Sequence, residues 1–172
     1  RLARACDLFD ALLPGFSGDG SPAASAQLND PHGLTVDARG DVYVADYGNN
    51  RIRLVDAESG NISTIAGYGE DGFSGDGGPA TAAKLDSLDV AVDAKGNVYV
   101  ADCFNSRIRM VDAADRIIST IAGDGYEADS GDGGFATSAQ VGAPNGVAVD
   151  AQGSVYFATV GDRIRVIVGP VG

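Results

Sequence analysis

Tryptophan is absent, aromatic residues make up 7% of the chain, and its 172 residues include one methionine and one histidine. A core drawn from this stock has to be built from valine, isoleucine, leucine and alanine. The lone His32 cannot furnish a three-histidine zinc site. It lies beside Pro31 in a linker with nothing marking a partner serine, so a Ser-His-Asp triad has no support either. No apolar run approaches the roughly 20 residues of a membrane-spanning helix. Basic residues are scarce: 12 Lys and Arg against 24 Asp and Glu give a formal net charge of −12, and the pI is about 4.2. Such a surface repels phosphate, which argues against nucleic acid as a partner. The acidity is expected to serve solubility more often than a basic partner, and metal cations remain candidate ligands. There are two cysteines, Cys6 and Cys103, which form either one disulfide or two unrelated buried thiols. Asn61-Ile62-Ser63 is an acceptor pattern for N-glycosylation, meaningful only if the chain enters a secretory route. The sequence begins at Arg1 rather than Met, so a processed, excised or incomplete chain is expected; a removed signal peptide is one alternative, and none is visible.

Glycine, by contrast, is abundant at 25 residues. It clusters in loops between apolar strands, unlike the composition of a disordered chain. The stretch from Gly40 to Asp56, GDVYVADYGNNRIRLVD, returns from Gly96 to Asp112 as GNVYVADCFNSRIRMVD. A shortened copy, GSVYFATVGDRIRV, runs from Gly153 to Val166. In each, two apolar runs flank a turn. Val42 to Ala45 is apolar at every position, so both faces of that strand must be covered. Arg51 to Val55 alternates polar and apolar, as a more exposed strand does. Tyr47 to Asn50 carries the glycine and asparagines that tight hairpins prefer.

Other segments recur in step. Phe16-Ser17-Gly18-Asp19-Gly20 returns at Phe73 to Gly77 and, without the Phe, at Ser130 to Gly133. Small-residue runs follow at Pro22 to Leu28, Pro79 to Leu85 and Ala136 to Val141, and predict one or two turns of helix. Asp37, Asp93 and Asp150 set a period of 56 and then 57 residues. Strands are predicted at Leu34–Val36, Val42–Ala45, Arg51–Val55 and Ile62–Ala66, then at Val90–Val92, Val98–Ala101, Arg107–Val111 and Ile117–Ala122. The third repeat holds Val147–Val149, Val155–Ala158 and Arg163–Val168, without a convincing fourth strand. A four-stranded unit repeated at this period is the signature of a β-propeller blade, which covers its inner strands with neighbours. The repeated Ala45, Ala101 and Ala158 suit close approach of blades. Tyr43, Tyr99 and Tyr156 suit packing between blades with the hydroxyl at a polar edge. Residues 1–13 match nothing later. Leu2, Cys6, Phe9 and Leu13 fall at helical spacing, whereas the register of later repeats would place a degenerate strand there.

PHGLTVDARGDVYVADYGNNRIRLVD and SLDVAVDAKGNVYVADCFNSRIRMVD resemble the NHL-repeat family, and ISTIAG with GFSGDGGPATAAKL is similar to its long-repeat variant. The resemblance covers about residues 16 to 168. It implies an all-β fold of propeller blades, each of four antiparallel strands, in rings that are commonly six-bladed. About three blades are present here, half of such a ring. The expected layout is an N-terminal adapter (1–15), a loop and short helix belonging to a preceding blade (16–30), blade one (31–85), blade two (86–141) and a partial blade three (142–172). Three departures stand out. Three blades fall short of the 4 to 8 that close a ring. Thr159 replaces the Asp of YVAD in a turn one residue shorter. Asp89 replaces the glycine of Gly33 and Gly146, which predicts an Asp-tolerated turn conformation.

Asp46 with Arg51, and Asp102 with Arg107, are expected to form a structural clasp across the hairpin turn. The resemblance likewise implies fold-defining Asp, Asn and Arg there. The acidic loops, with Glu70, Asp71 and Asp76 and with Asp124, Glu127, Asp129 and Asp132, are the candidate calcium ligands. Neither loop matches the twelve-residue calcium-loop pattern, and no other cofactor is expected. His32 is expected on the surface or between blades. Most family members act as binding or scaffolding surfaces, so a non-enzymatic interaction scaffold is expected. Further blades, or copies of the chain adding as a homo-oligomeric ring or a filament, would complete it, with Arg1 to Leu13 and Arg163 to Gly172 as the contact regions. A protein or glycan ligand and an extracellular or cell-surface location fit this expectation. The alternatives are a propeller enzyme of lyase or hydrolase type and a calcium-dependent binding module.

Overall fold

The computed structural model of the chain describes residues 14–168. The expected helix or strand within residues 1–13, and Cys6 of the candidate disulfide, lie outside this range. Strands β1 (Pro31–Val36), β2 (Val42–Asp46), β3 (Arg51–Val55) and β4 (Ile62–Ala66) form one antiparallel sheet in chain order. Strands β5 (Asp89–Val92), β6 (Val98–Asp102), β7 (Arg107–Val111) and β8 (Ile118–Ala122) repeat it. A short pair, β9 (Asp129–Ser130) and β10 (Gln140–Val141), was not foreseen; it precedes a three-stranded sheet of β11 (Pro144–Val149), β12 (Val155–Thr159) and β13 (Arg163–Ile167). The small-residue runs form single 3-10 turns at Ala23–Ser25, Ala80–Ala82 and Ala136–Ser138, after which Ala26, Ala83 and Ala139 are extended.

The hairpin turn is a 3-10 turn closed by one left-handed residue, Asn50 at φ 51° and Ser106 at φ 50°. Gly48 is not the left-handed position. Asn29 presses on it instead, and a Cβ there would lie 2.6 Å from Asn29 Cγ.

Side chains alternate across each sheet, and the two faces of β2 have different covers. Tyr43 and Ala45, with Ile52 of β3, pack against Ala80, Ala83, Leu85 and the second sheet's Val90, Val98 and Val100. Val44, Val55 and Ile62 face the other way, against Ala23, Ala26 and Leu28. The same joint recurs one blade on, where Tyr99, Ala101 and Ile108 meet Ala139, Val141, Val155 and Phe157. Each fully buried isoleucine at these joints stabilises the stack by about 1.5–3 kcal/mol. β5 adjoins both β1 and β11, so the sheets stack as propeller blades with their first strands together. Gly33 N–H donates to the Leu88 carbonyl at 2.9 Å.

At that inner edge Asp89 corrects an expectation. It lies within extended β5, outside the left-handed region. Its carboxylate instead accepts the Val147 N–H at 2.8 Å, tying blade two to blade three. The three repeated tyrosines do reach a polar edge: Tyr43, Tyr99 and Tyr156 donate to Asp37, Asp93 and Asp150 at 3.5, 3.1 and 3.2 Å. Burial, with the Asp93 charge beside it, pushes the Tyr99 phenol up to about 12.

Candidate functional site

The alternation of β3 does not mark an exposed strand. Arg53 and Arg109 are fully buried, and each is enclosed by acceptors. Arg53 donates to Asp46 Oδ2 at 3.2 Å, Asp19 Oδ1 at 2.9 Å and the Ser17 carbonyl at 3.0 Å. Arg109 does the same with Asp102 Oδ2 at 3.2 Å, Asp76 Oδ1 at 2.7 Å and the Ser74 carbonyl at 3.1 Å. The clasp therefore runs from Asp46 to Arg53 and from Asp102 to Arg109. Arg51 and Arg107 turn outward. They donate to the Asn49 and Asn105 carbonyls at 2.9 and 2.8 Å and lie 3.7 Å over the rings of Phe16 and Phe73. The physical reason is reach. The connector brings its own carbonyls and carboxylate over Arg53, while Asp46 is held by Asn29 N–H and the Asn49 amide. Burial pushes the Asp102 carboxyl up, against the N–H of Asp86, the Asn105 amide and the Arg109 charge.

The third blade is wired differently. Thr159 stands where the others have Asp46 and Asp102, and Asp129 stands where they have Phe16 and Phe73. Arg165, the counterpart of Arg109, donates to Asp132 Oδ1 at 2.6 Å and lies 3.8 Å from Asp129. Asp129 Oδ1 and Thr159 Oγ1 are buried without hydrogen-bond partners.

The acidic loops are thus partly committed. Asp76 and Asp132 hold arginines, and Glu70 accepts from the Tyr68 hydroxyl at 2.7 Å and pairs with Lys84 at 3.0 Å. Asp124 Oδ1 accepts the Tyr126 N–H. Among the described residues no three His, Cys, Asp or Glu side chains converge on a metal-sized site. Cys103 is buried beside Asp102, and burial with nearby carboxylates pushes its thiol up to about 11. Asn61 bridges to Pro22 at the start of β4 and is half-buried. His32 lies exposed on β1, with Asp30 at 3.5 Å.

Among the described residues, apolar repeat positions stay open at both ends of the stack. On blade three, Ile164 is 80% exposed, whereas its counterparts Ile52 and Ile108 are fully buried. Tyr156 is 41% exposed against 3% and 6% for Tyr43 and Tyr99. With Val166 these residues form the face that the first two blades bury against a following connector. Leu34 and Val36 of β1 are open at the opposite end of the stack.

A family model described as NHL repeat matches residues 28–53, from the end of the connector to the buried Arg53. The chain carries an NHL repeat at these residues. It is 36% identical over 92 residues to the Caenorhabditis elegans protein named "Probable peptidyl-alpha-hydroxyglycine alpha-amidating lyase pgal-1", covering 53% of this chain and 25% of that one. It is 32% identical over 120 residues to human NHL repeat-containing protein 3, covering 65% and 33%. The chain therefore spans a third or less of these relatives' length. A crystal structure of a Bacteroides thetaiotaomicron protein of unknown function superposes with a TM-score of 0.71 at 21% identity, over 92% of this chain and 38% of that one. That likeness shows the fold.

Sequence reasoning missed the buried arginines, and it took the connector carboxylates Asp76 and Asp132 as candidate calcium ligands rather than as their partners. The signal was present: Asp19, Asp76 and Asp132 precede Arg53, Arg109 and Arg165 by 34, 33 and 33 residues in all three copies.

Proposed function

We propose that this NHL-repeat chain is a non-enzymatic propeller segment acting as a structural or protein-interaction scaffold, outside the cell or on its surface. Its blade-three face is completed by a further blade or by another copy of the chain. The supporting observation is Ile164, 80% exposed at a position fully buried in both other blades. The complementary half of such a joint is already formed at the other end. There Ala23, Ala26 and Leu28 lie over blade one as Ala80, Ala83 and Leu85 lie over blade two. An incoming copy would bring a connector of the kind these faces bury elsewhere. Light scattering tests this: the wild-type chain should exceed its 17.4 kDa monomer mass as concentration rises, and Ile164→Asp should remain a monomer. Identical masses for the two would remove this face from the assembly.

A second reading, a propeller enzyme of lyase or hydrolase type, is favoured by the likeness to the nematode lyase. His32 is the only histidine of the chain, so a histidine metal site would draw on residues beyond these blades. Turnover of lyase or lactone substrates, lost on chelation, would support it. A calcium-binding role for the acidic loops is weakened because Asp76 and Asp132 are held by arginines.

A further inference from the structure

Tyr47 in the β2–β3 turn and Phe104 in the β6–β7 turn stack across neighbouring blades, ring centroids 6.0 Å apart and planes 26° apart. His32 meets Tyr47 edge-on at 5.2 Å. The repeat does not require this row. Tyr47 aligns with Cys103, and Phe104 aligns with Gly48, so the two rings come from different repeat positions. Phe104 is 61% exposed.

Carboxylates surround the row. Asp30 lies 3.5 Å from His32, and Asp86 accepts the Phe104 N–H on its main-chain carbonyl at 3.4 Å. Partial burial and the carboxylates of Asp102 and Asp71 push the Asp86 carboxyl up. Among the described residues no lysine or arginine pairs with Asp30 or Asp86, although the chain elsewhere lays Arg51 and Arg107 on Phe16 and Phe73 at 3.7 Å.

We propose that the Tyr47–Phe104 row is a docking surface for a basic polypeptide segment, whose guanidinium or ammonium groups lie on the rings and pair with Asp86 and Asp30. Ring faces attract cations through their quadrupole, and the net charge of −12 steers a cationic partner to the surface. The spacing favours an extended peptide over a free amine. Side chains on one side of a strand recur at about 6.6 Å, close to the 6.0 Å between the rings.

The test is fluorescence anisotropy with labelled peptides of four Arg-Ser, Lys-Ser or Glu-Ser repeats. The two basic peptides should bind and the acidic one should not. Phe104→Ala and Asp86→Asn should each weaken the Arg-Ser peptide roughly fivefold. Phe135→Ala, another exposed ring, and Asp115→Asn, in the β7–β8 turn at the other end of the blade, should leave it unchanged. Equal losses in the control variants, or none in Phe104→Ala and Asp86→Asn, would reduce the effect to net charge and overturn the proposal. Displacement by tetramethylammonium at matched cation concentration would assign the site to a free organic cation instead, and would equally overturn it.

Discussion

Replacing Arg109 with leucine should cost far more stability than replacing Arg165, although the two occupy the same repeat position. Arg109 is fully buried, and Asp102 beside it has no solvent exposure. In Arg109→Leu that carboxylate keeps the Asp86 N–H and the Asn105 amide but loses its cation, and the Ser74 carbonyl loses a donor. Removing one partner of a buried pair costs about 3–5 kcal/mol. Arg165 faces Asp132, which is 70% exposed and returns to water when the arginine goes; Asp129 is 20% exposed. The loss there is mainly of hydrogen bonds to the Gln140 and Ser130 carbonyls, about 1–2 kcal/mol. In urea, with a slope of about 2 kcal/mol/M, the midpoint should fall by roughly 2 M for Arg109→Leu and under about 1 M for Arg165→Leu. Adding Asp102→Leu to Arg109→Leu should recover part of the loss, because the stranded charge is removed with its partner. Equal midpoints for the two single variants, or a double variant at the sum of its parts, would refute the buried-pair account.

Gly33→Ala places a Cβ 2.7 Å from the Asp89 Cα, so the inner strands must part. A loss of about 1–3 kcal/mol is expected, read as a lower melting temperature. Cys103, with its thiol near 11 rather than 9.0, should be alkylated at pH 8 about a hundredfold more slowly in the folded chain than after unfolding, by peptide mass spectrometry. Burial pushes the Asp93 carboxyl up, but hydrogen bonds from Asn97, the Lys95 N–H and Tyr99 outweigh it and hold the group below 3.8. The stability it contributes is complete above that value and is lost as pH falls through the lower folded value. Asp93→Asn should therefore flatten the acid limb of a stability-versus-pH curve, and an unchanged limb would count against these hydrogen bonds.

Much of the blade was legible because strand pattern and burial agree. Val42 to Ala45 is apolar throughout, and Tyr43, Val44 and Ala45 are all buried. The pattern RIRLV was harder. Alternation says which residues share a face, not whether that face is wet, and Arg53 is buried because its acceptors come from a connector far back in the chain. The five-residue spacing across the turn points to Arg51, which does oppose Asp46 in register. Two residues further along, Arg53 reaches the same carboxylate beneath the connector. Asp89 looked like a turn residue because it stands where two other repeats have glycine. Its role depends on Val147 in another blade, which no local pattern reveals. The Tyr47–Phe104 stack was illegible for the same reason, since its two rings occupy different repeat positions.

The third blade shows how one requirement constrains several substitutions. A guanidinium under the connector needs a carboxylate close by, and blade three lacks the strand Asp that supplies it elsewhere. Three differences coincide there: Thr159 for Asp102, Asp129 for Phe73, and a turn one residue shorter without the counterpart of Asn105. Taken singly, each looks like decay of the repeat. Taken together, they move the carboxylate from the strand to the loop and remove the asparagine whose amide steadied it. The exchange is incomplete. Asp129 Oδ1 and Thr159 Oγ1 have no partners, Arg165 is no longer fully covered, and in place of a connector ring it has only Phe157, 6.0 Å away. The weaker network lies in the blade that carries exposed Tyr156 and Ile164. Arg165 alternates with Ile164 and Val166 along β13, so its network lies on the sheet face opposite the open one, and a partner covering Tyr156 and Ile164 would not add to its burial. Assembly through the open face and the Arg165 network should therefore respond independently to substitution.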